Sequence, residues 1–366
     1  MKKKNSIAVV CFYEATSGGH GAAEVTLSVF ESLKKYKKKI FEIKKKNIFK
    51  ILEKYDINFL ENFYKLFKIF FLIVDIKNFL KESENPIIII EGASWIGYSY
   101  LTIKLCKYFL PKSYIIYHSH NIEFILRKKK NNIIISLISK VLEKKVYQIS
   151  TIATAVSTID QKILKELYNV KSVIFSNGIN KKRLIIKKIK RNMPKKYFIY
   201  FGSYSFFPNK EAIDYIINNI MPQMRIEHPD IKLVIVGKDL PLKILQDNKE
   251  IYFFKNLKKE YLNFLISKAK FLLAPMFKAT GTKLKIIETL MLGSVIICSK
   301  HAVNGIELNN KINPPFIYKN KKEMFRMINY VLNKNYFLKQ KAKKYSNFFV
   351  NRYCMENITK KLFKNI

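Results

Sequence analysis

Short β-branched runs alternate along the chain with segments of helical period. In the first half the runs are Ile7 to Tyr13, Ile87 to Glu91, Tyr114 to His118, Thr151 to Val156 and Ser172 to Phe175. Their near-continuous apolar character predicts strands of a parallel sheet buried on both faces, joined by crossover helices. After the lysine-rich stretch Lys181 to Lys196 the pattern restarts, with Tyr197 to Phe201, Lys232 to Val236, Ile251 to Phe254, Phe271 to Ala274, Val295 to Cys298 and Phe316 to Tyr318. From Glu323 onward Met324, Ile328, Val331 and Leu332 recur at helix spacing with a basic outer face. The fold class is therefore α/β, with two doubly wound, Rossmann-like domains. The boundary is placed near residue 180, giving domains 1–180 and 181–345 and a C-terminal helix, 346–366, that packs back on the first. The stretch from Lys181 to Lys196 has no glycine and reads as a solvated linker. Two such sheets facing each other put a ligand site at the carboxyl ends of the strands, in the cleft between them.

Composition narrows this picture. A chain of 366 residues with 49% hydrophobic and 14% aromatic residues supports two cores and is not disordered. The longest uncharged apolar runs, such as Ile69 to Val74, fall far short of the ~20 residues that span a bilayer, so no transmembrane helix is expected. Sixty-eight basic residues against 27 acidic ones give a net charge of +41, which raises nucleic acid and anionic membranes as partners. Only six of the 68 are Arg, and the chain is also rich in Ile, Asn, Phe and Tyr, the residues of A/T-rich codons. Nucleic-acid readers depend on Arg forks, so no nucleic-acid partner is expected, while an anionic membrane surface stays as a partner class.

The segment Phe59 to Leu80 has two readings. Leu60, Phe63, Tyr64, Phe67, Phe70, Phe71 and Val74 recur at steps of three and four, flanked by lysines. The stripe suits a helix buried against the first sheet, and it also suits a helix set into a membrane interface.

Cys11, Cys106, Cys298 and Cys354 have no metal-ligand spacing and read as buried free thiols. The N-terminus begins like a signal peptide, but its apolar segment breaks at Tyr13 and Glu14 without a cleavage site, so Ile7 to Phe12 is read as the first core strand. Both readings point to a reducing cytoplasm.

Candidate chemistry gathers at strand ends. Ser17-Gly18-Gly19-His20-Gly21 follows the first strand and opens a helix, offering an anion close backbone approach and free N–H groups, although a plain tight turn fits equally. Tyr117 to Glu123 carries His118 and His120, two of only five histidines. In an extended segment these alternate to opposite faces, so they are not expected to ligate one ion together. His118 reads as structural, and His120 with Asn121 as the pair at the cleft. In the second half, Phe201 to Lys210 forms a strand, turn and helix start suited to an anion. The most informative stretch is Ala274 to Glu288, where a Gly281-Thr282-Lys283 turn opens a helix and Glu288 follows five residues after Lys283. At 1.5 Å per residue this is roughly 7 to 8 Å, about the separation of a nucleotide's pyrophosphate from its ribose hydroxyls. Lys283 and the N–H groups of Thr282 to Leu284 suit phosphate, and Glu288 suits ribose.

The Gly18-Gly19 turn, HSHNIE, SNGIN at Ser176 to Asn180, FGSYSFFPNKEA, the glycine after KLVIVG, and APMFKATGTKLKIIETLMLGSVII occur in the order found in one family. The chain resembles glycosyltransferase family 4 (group 1), retaining nucleotide-sugar transferases of GT-B fold, over nearly its whole length. The resemblance implies an acceptor-binding N-terminal domain, a donor-binding C-terminal domain, and transfer of a hexose with retained configuration, without metal or cofactor. It implies catalytic roles for Lys283 and His120, the latter near the transferred sugar. Donor contacts are implied at Gly19, Ser203, Asn209 or Lys210, Gly281, Thr282, Lys283, Leu284 and Glu288. Two departures stand out: Thr280 replaces the first carboxylate of the family's paired-Glu motif, and Ser203 replaces a common diphosphate-binding Arg. The acceptor implied is a glycan or lipid-linked glycan of polysaccharide, lipopolysaccharide or glycoprotein assembly, met in the cytoplasm or at the inner membrane face. Its contact residues cannot be read from the sequence. A catalytically silent partner subunit or membrane-surface module, and a sugar-nucleotide epimerase, are the competing readings.

Overall fold

The computed structural model describes residues 5–16, 21–44, 58–128, 133–190, 192–277, 282–308 and 315–364. The chain divides into two compact units, the first made of residues 1–177 and 358–366, the second of residues 178–357.

Unit 1 runs β1 (Ser6–Cys11), α1 (Gly21–Ser32), β2 (Lys37–Glu42), α2 (Asn58–Leu80), β3 (Ile87–Gly92), α3 (Ile96–Phe109), β4 (Tyr114–Ser119), α4 (Glu123–Lys128), α5 (Ile133–Ile149), β5 (Ile152–Ala155), α6 (Thr158–Tyr168) and β6 (Val173–Ile174). All six strands are parallel, in the order β2-β1-β3-β4-β5-β6. The chain reverses its direction of growth at β1 and β3, the place where doubly wound sheets bind ligands. Strand β2 was not expected from the pattern, because KKKIFE holds three lysines, which an edge strand tolerates. One face of the sheet, with Ala8, Val10, Ile88, Ile90, Ile115 and Tyr117, packs against Ile69, Ile73 and Ile76 of α2.

That packing corrects the aromatic stripe read in Phe59 to Leu80. The buried positions of α2 are Ile69, Leu72, Ile73, Ile76 and Leu80, while Phe63, Phe67, Phe70, Phe71 and Val74 are exposed. Aliphatic side chains and Phe79 therefore make the core contact, and Phe63, Phe67, Phe70 and Phe71 lie on the other side of the same helix.

Unit 2 runs β7 (Tyr197–Phe201), α7 (Phe207–Tyr215), α8 (Met221–Glu227), β8 (Lys232–Gly237), α9 (Leu242–Gln246), β9 (Ile251–Lys255), α10 (Lys259–Lys268), β10 (Leu272–Ala274), α11 (Leu284–Met291), β11 (Ile296–Ser299), β12 (Phe316–Tyr318), α12 (Lys321–Asn333), α13 (Asn335–Tyr353) and α14 (Met355–Leu362), whose last residues belong to unit 1. Its six parallel strands are ordered β12-β11-β10-β7-β8-β9, with the reversal at β7 and β10. The lysine-rich segment read as a linker is tied to this unit. Asn263 donates to the carbonyls of Arg183 and Ile185, and Ile189 is buried. At the other end of the chain the Phe363 ring meets Tyr36 of unit 1.

One close approach fixes the β7 end. A Cβ on Gly237 would lie 2.1 Å from the carbonyl oxygen of Gly202, so β8 brings its backbone against the turn with no room for a side chain. Gly202 itself has φ +146°, a conformation that L side chains rarely adopt.

Candidate functional site

In unit 1, Glu91 closes β3 directly opposite His118 in β4. Residues paired in a parallel ladder point to the same face, so the carboxylate and the imidazole are neighbours. Glu91 Oε2 accepts from His118 Nδ1 at 3.0 Å and from His120 Nε2 at 2.5 Å, and all three side chains are buried. The two histidines thus meet on one carboxylate, with ring centroids 4.6 Å apart, and the expected alternation to opposite faces does not hold. The extended backbone ends at Ser119 and the chain bends at His120 and Asn121, which turns the second ring back beside the first.

That bend is held from behind. Ser119 Oγ donates to the Asn121 carbonyl and accepts from Tyr147 Oη. The N–H groups of Glu123 and Phe124, at the start of α4, donate to the two oxygens of Glu143, which also accepts from Tyr168. Burial pushes the Glu143 carboxyl up to about 7, against these three donors. Burial also acts to raise Glu91, but the two histidines override it and hold its carboxyl down at about 2.

Glu91, His118 and His120 have the donor set and spacing to hold a metal ion, with one ligand atom from each within 4.8 Å of the others. Here both rings direct that capacity at the carboxylate. Sequence reading missed Glu91. The available signal was a lone carboxylate ending the run IIIIEG, since a charge in a fully buried strand requires a partner. Gly19, expected near the donor phosphates, lies outside the described residues.

In unit 2 the candidate groups flank the reversal of the sheet, in the turns after β7 and β10. Asn209, in the first turn of α7, is buried. Its amide nitrogen donates to the Ser203 carbonyl at 2.9 Å, and its oxygen accepts from Tyr200 Oη at 3.0 Å and from Lys285 Nζ at 2.7 Å. Of the two alternatives, Asn209 or Lys210, the structure turns Asn209 inward. Lys210 lies on the exposed side of α7, paired with Asp214 at 2.9 Å. The Ser203 hydroxyl donates to Asp239 and pairs with Ser205, which places an acidic group where a diphosphate-binding Arg was missing.

At the head of α11, Thr282 is buried, Lys283 stands at the N-cap, and Leu284 begins the helix. Gly281 and Thr280 lie outside the described residues. Glu288 is buried one turn further and meets Lys259 Nζ at 2.5 Å, a partner the sequence did not reveal.

Lys285 is the second residue the sequence reading missed. It is partly buried along its stem, and its ammonium is enclosed. Nζ donates to Tyr200 Oη at 2.9 Å and to Asn209, and lies 4.1 Å from the Tyr200 ring centroid. Among the described residues no carboxylate pairs with it. Burial, and then the charge of Lys283, push its ammonium down to about 7. The signal was the spacing Lys283-x-Lys285-x-x-Glu288, which puts Lys285 and Glu288 on the same helix face.

The family described as "Glycosyl transferases group 1" matches residues 195–333. No curated protein matches the chain. Among solved structures, HepE of Anabaena in complex with UDP and glucose is similar with TM-score 0.69 and 12% identity, over 99% of both chains. Sucrose-phosphate synthase of Thermosynechococcus elongatus gives 0.71 and 12% over 99% of both, and a glycosyltransferase of Rickettsia africae 0.64 and 17% over 99% of this chain and 97% of the other. Two parallel six-stranded sheets with this topology give the chain the GT-B fold, and residues 195–333, which contain β7 to α12 with both flanking turns, match the family of group 1 glycosyl transferases.

Proposed function

We propose that the protein is a retaining hexosyltransferase. It moves a sugar from a nucleoside diphosphate to a hydroxyl of a glycan or lipid-linked acceptor in polysaccharide, lipopolysaccharide or glycoprotein glycan assembly, in the cytoplasm. The observation that carries this reading is the pair of ammonium groups at the start of α11, Lys283 at the N-cap and Lys285 enclosed beside it without a described carboxylate partner, followed by buried Glu288. An enclosed cation of this kind is a site for an anion, and a diphosphate answers it. HepE, of the same fold, was crystallised with UDP-glucose, which supports a nucleotide-sugar donor.

In this reading negative charge develops on the leaving diphosphate as the bond from the anomeric carbon to phosphate oxygen breaks. Lys283, Lys285 and the N–H groups at the head of α11 stabilise it, so no metal is required. The acceptor oxygen attacks from the same side, and its proton passes to a donor phosphate oxygen. Glu288 accepts from ribose, and His120, fixed by Glu91, orients the sugar. A catalytically silent partner subunit is favoured by one observation only: Ser203 and Asp239 face the place of a phosphate-binding Arg.

The test is binding and turnover of UDP-, GDP-, ADP- and dTDP-sugars in EDTA, for wild type, Lys283→Ala and Glu288→Ala. One preferred donor, bound without metal and lost in both variants, supports the transferase. A wild type that binds no donor supports the silent subunit.

A further inference from the structure

The helical layer on one face of unit 1 is apolar on the side that faces away from the sheet. Helix α5 is the clearest case, because its first three turns are inside out. Ser136, Ser139 and Glu143 are buried, while Ile133, Ile134, Leu137, Ile138 and Val141 are exposed, the first two at 73%. A helix packed on a core and facing water has the reverse arrangement. Turning serines inward and five branched aliphatic side chains outward makes sense when the outer medium is itself apolar.

Helix α2 repeats the arrangement with aromatic residues. Phe63, Phe67, Phe70, Phe71 and Val74 are exposed, Phe63 at 64%, and the Phe67 and Phe71 rings meet edge to face. Helix α3 packs against both α2 and α5, and exposes Tyr108 and Phe109 at its end. The exposed groups thus belong to neighbouring helices of one layer and are not isolated surface residues.

Charge decides the occupant. Lys128 ends α4 ahead of α5, and Lys140, Lys144 and Lys145 lie along α5 itself, while Arg127 is paired with Glu123. Lys68 of α2 lies 5.5 Å from the Phe71 ring. A basic rim around an apolar face complements anionic lipid, whereas a second copy of a chain carrying +41 would set like charge against like. No described helix is long and apolar enough to cross a membrane. The exposed aliphatic side chains of α5 fall within nine residues, about 13 Å at the helical rise, which suits a helix lying in the plane of the headgroup boundary.

We propose that α5 and α2 form a docking face for an anionic bilayer, with Ile133 to Val141 entering the headgroup boundary and the flanking lysines meeting lipid phosphate. The inference does not depend on the transferase chemistry, because its test reads binding alone. The full chain is floated with vesicles of phosphatidylcholine or of equal parts phosphatidylcholine and phosphatidylglycerol, beside Ile134→Asp/Ile138→Asp and Phe67→Asp/Phe71→Asp. These positions are exposed, so the variants keep the wild-type thermal transition. Ile134→Cys carrying an environment-sensitive fluorophore reports insertion independently. Flotation with the mixed vesicles only, a loss of tenfold or more in each double variant, and a blue shift of the probe on mixed vesicles are expected. Flotation of wild type with neither vesicle or equally with both, or undiminished flotation of the double variants, overturns the proposal. So does a dimer, seen by light scattering, that dissociates in the double variants while no vesicle is bound, because the face is then an interface between copies.

Discussion

Glu91 Oε2 lies 2.5 Å from His120 Nε2 while it also accepts from His118, so one carboxylate at the end of a central strand sets the orientation of the histidine proposed to orient the sugar. Removing that charge leaves both rings in place by packing but without a fixed plane. Glu91→Gln is expected to lower kcat by roughly 10- to 100-fold, the scale of a small misplacement at a reacting centre. Nucleotide affinity, which the proposed function places in unit 2, is expected to stay within about twofold. Calorimetry with the preferred nucleotide alongside steady-state kinetics checks both, and equal loss of affinity and kcat refutes the positioning role.

Glu91 also predicts acid sensitivity. Its folded-state carboxyl is held at about 2, below the ordinary carboxylate range. The folded state therefore binds fewer protons than the unfolded chain between pH ~4.5 and ~2, and stability is lost as pH falls through that window. The loss reaches a few kcal/mol at most. Thermal melts of wild type against Glu91→Gln from pH 5 to 3 should converge as the wild type weakens.

Glu143 gives the opposite sign. Its folded-state carboxyl is raised to about 7, so the folded state holds a proton that the unfolded chain has released. Stability is full below pH ~4.5 and declines as pH rises through 7. Glu143→Gln keeps an acceptor for Tyr168 and removes the titration, and its melting temperature should be flat from pH 5 to 8 where that of wild type falls.

In the proposed donor site, Lys285 is expected to couple donor binding to protonation. Its ammonium is pushed down to about 7, and a bound diphosphate pulls the proton back on. At pH 8 nucleotide binding should take up close to one proton, seen as a dependence of calorimetric enthalpy on buffer ionisation. Lys285→Met should abolish that uptake and weaken binding by roughly 10- to 100-fold, the range of one charge-assisted hydrogen bond. Unchanged uptake in the variant removes Lys285 from the donor site.

Gly237→Ala tests the turn after β7 without touching a charged group. A Cβ 2.1 Å from the Gly202 carbonyl oxygen must push backbone against backbone. A destabilisation of about 3 kcal/mol is expected, at the upper end for overpacking, together with weaker nucleotide binding because Gly202 and Ser203 shift.

Much of this architecture is legible in the sequence, since buried parallel strands are written as continuous Ile and Val. Strand β2 was hidden because an edge strand can be written in lysine. Helix α2 was found, but of the two readings of its aromatic stripe the buried one fails: both faces are apolar, and periodicity alone does not say which one meets the sheet. Glu288 and Lys283 were nominated from spacing along a single helix, a local property. Glu91 and Lys285 were missed because their significance lies in partners 27 and 76 residues away, His118 and Asn209, which only pairing of strands and packing of turns bring near.

The four cysteines have a consequence for life under oxidative stress. All are buried, and burial pushes the Cys106 and Cys298 thiols up to about 12 and the Cys11 thiol higher still. Peroxide reacts with thiolate, and these groups supply almost none at neutral pH. The proposed sugar transfer should therefore continue unchanged in peroxide that silences proteins with exposed, low-pKa thiols.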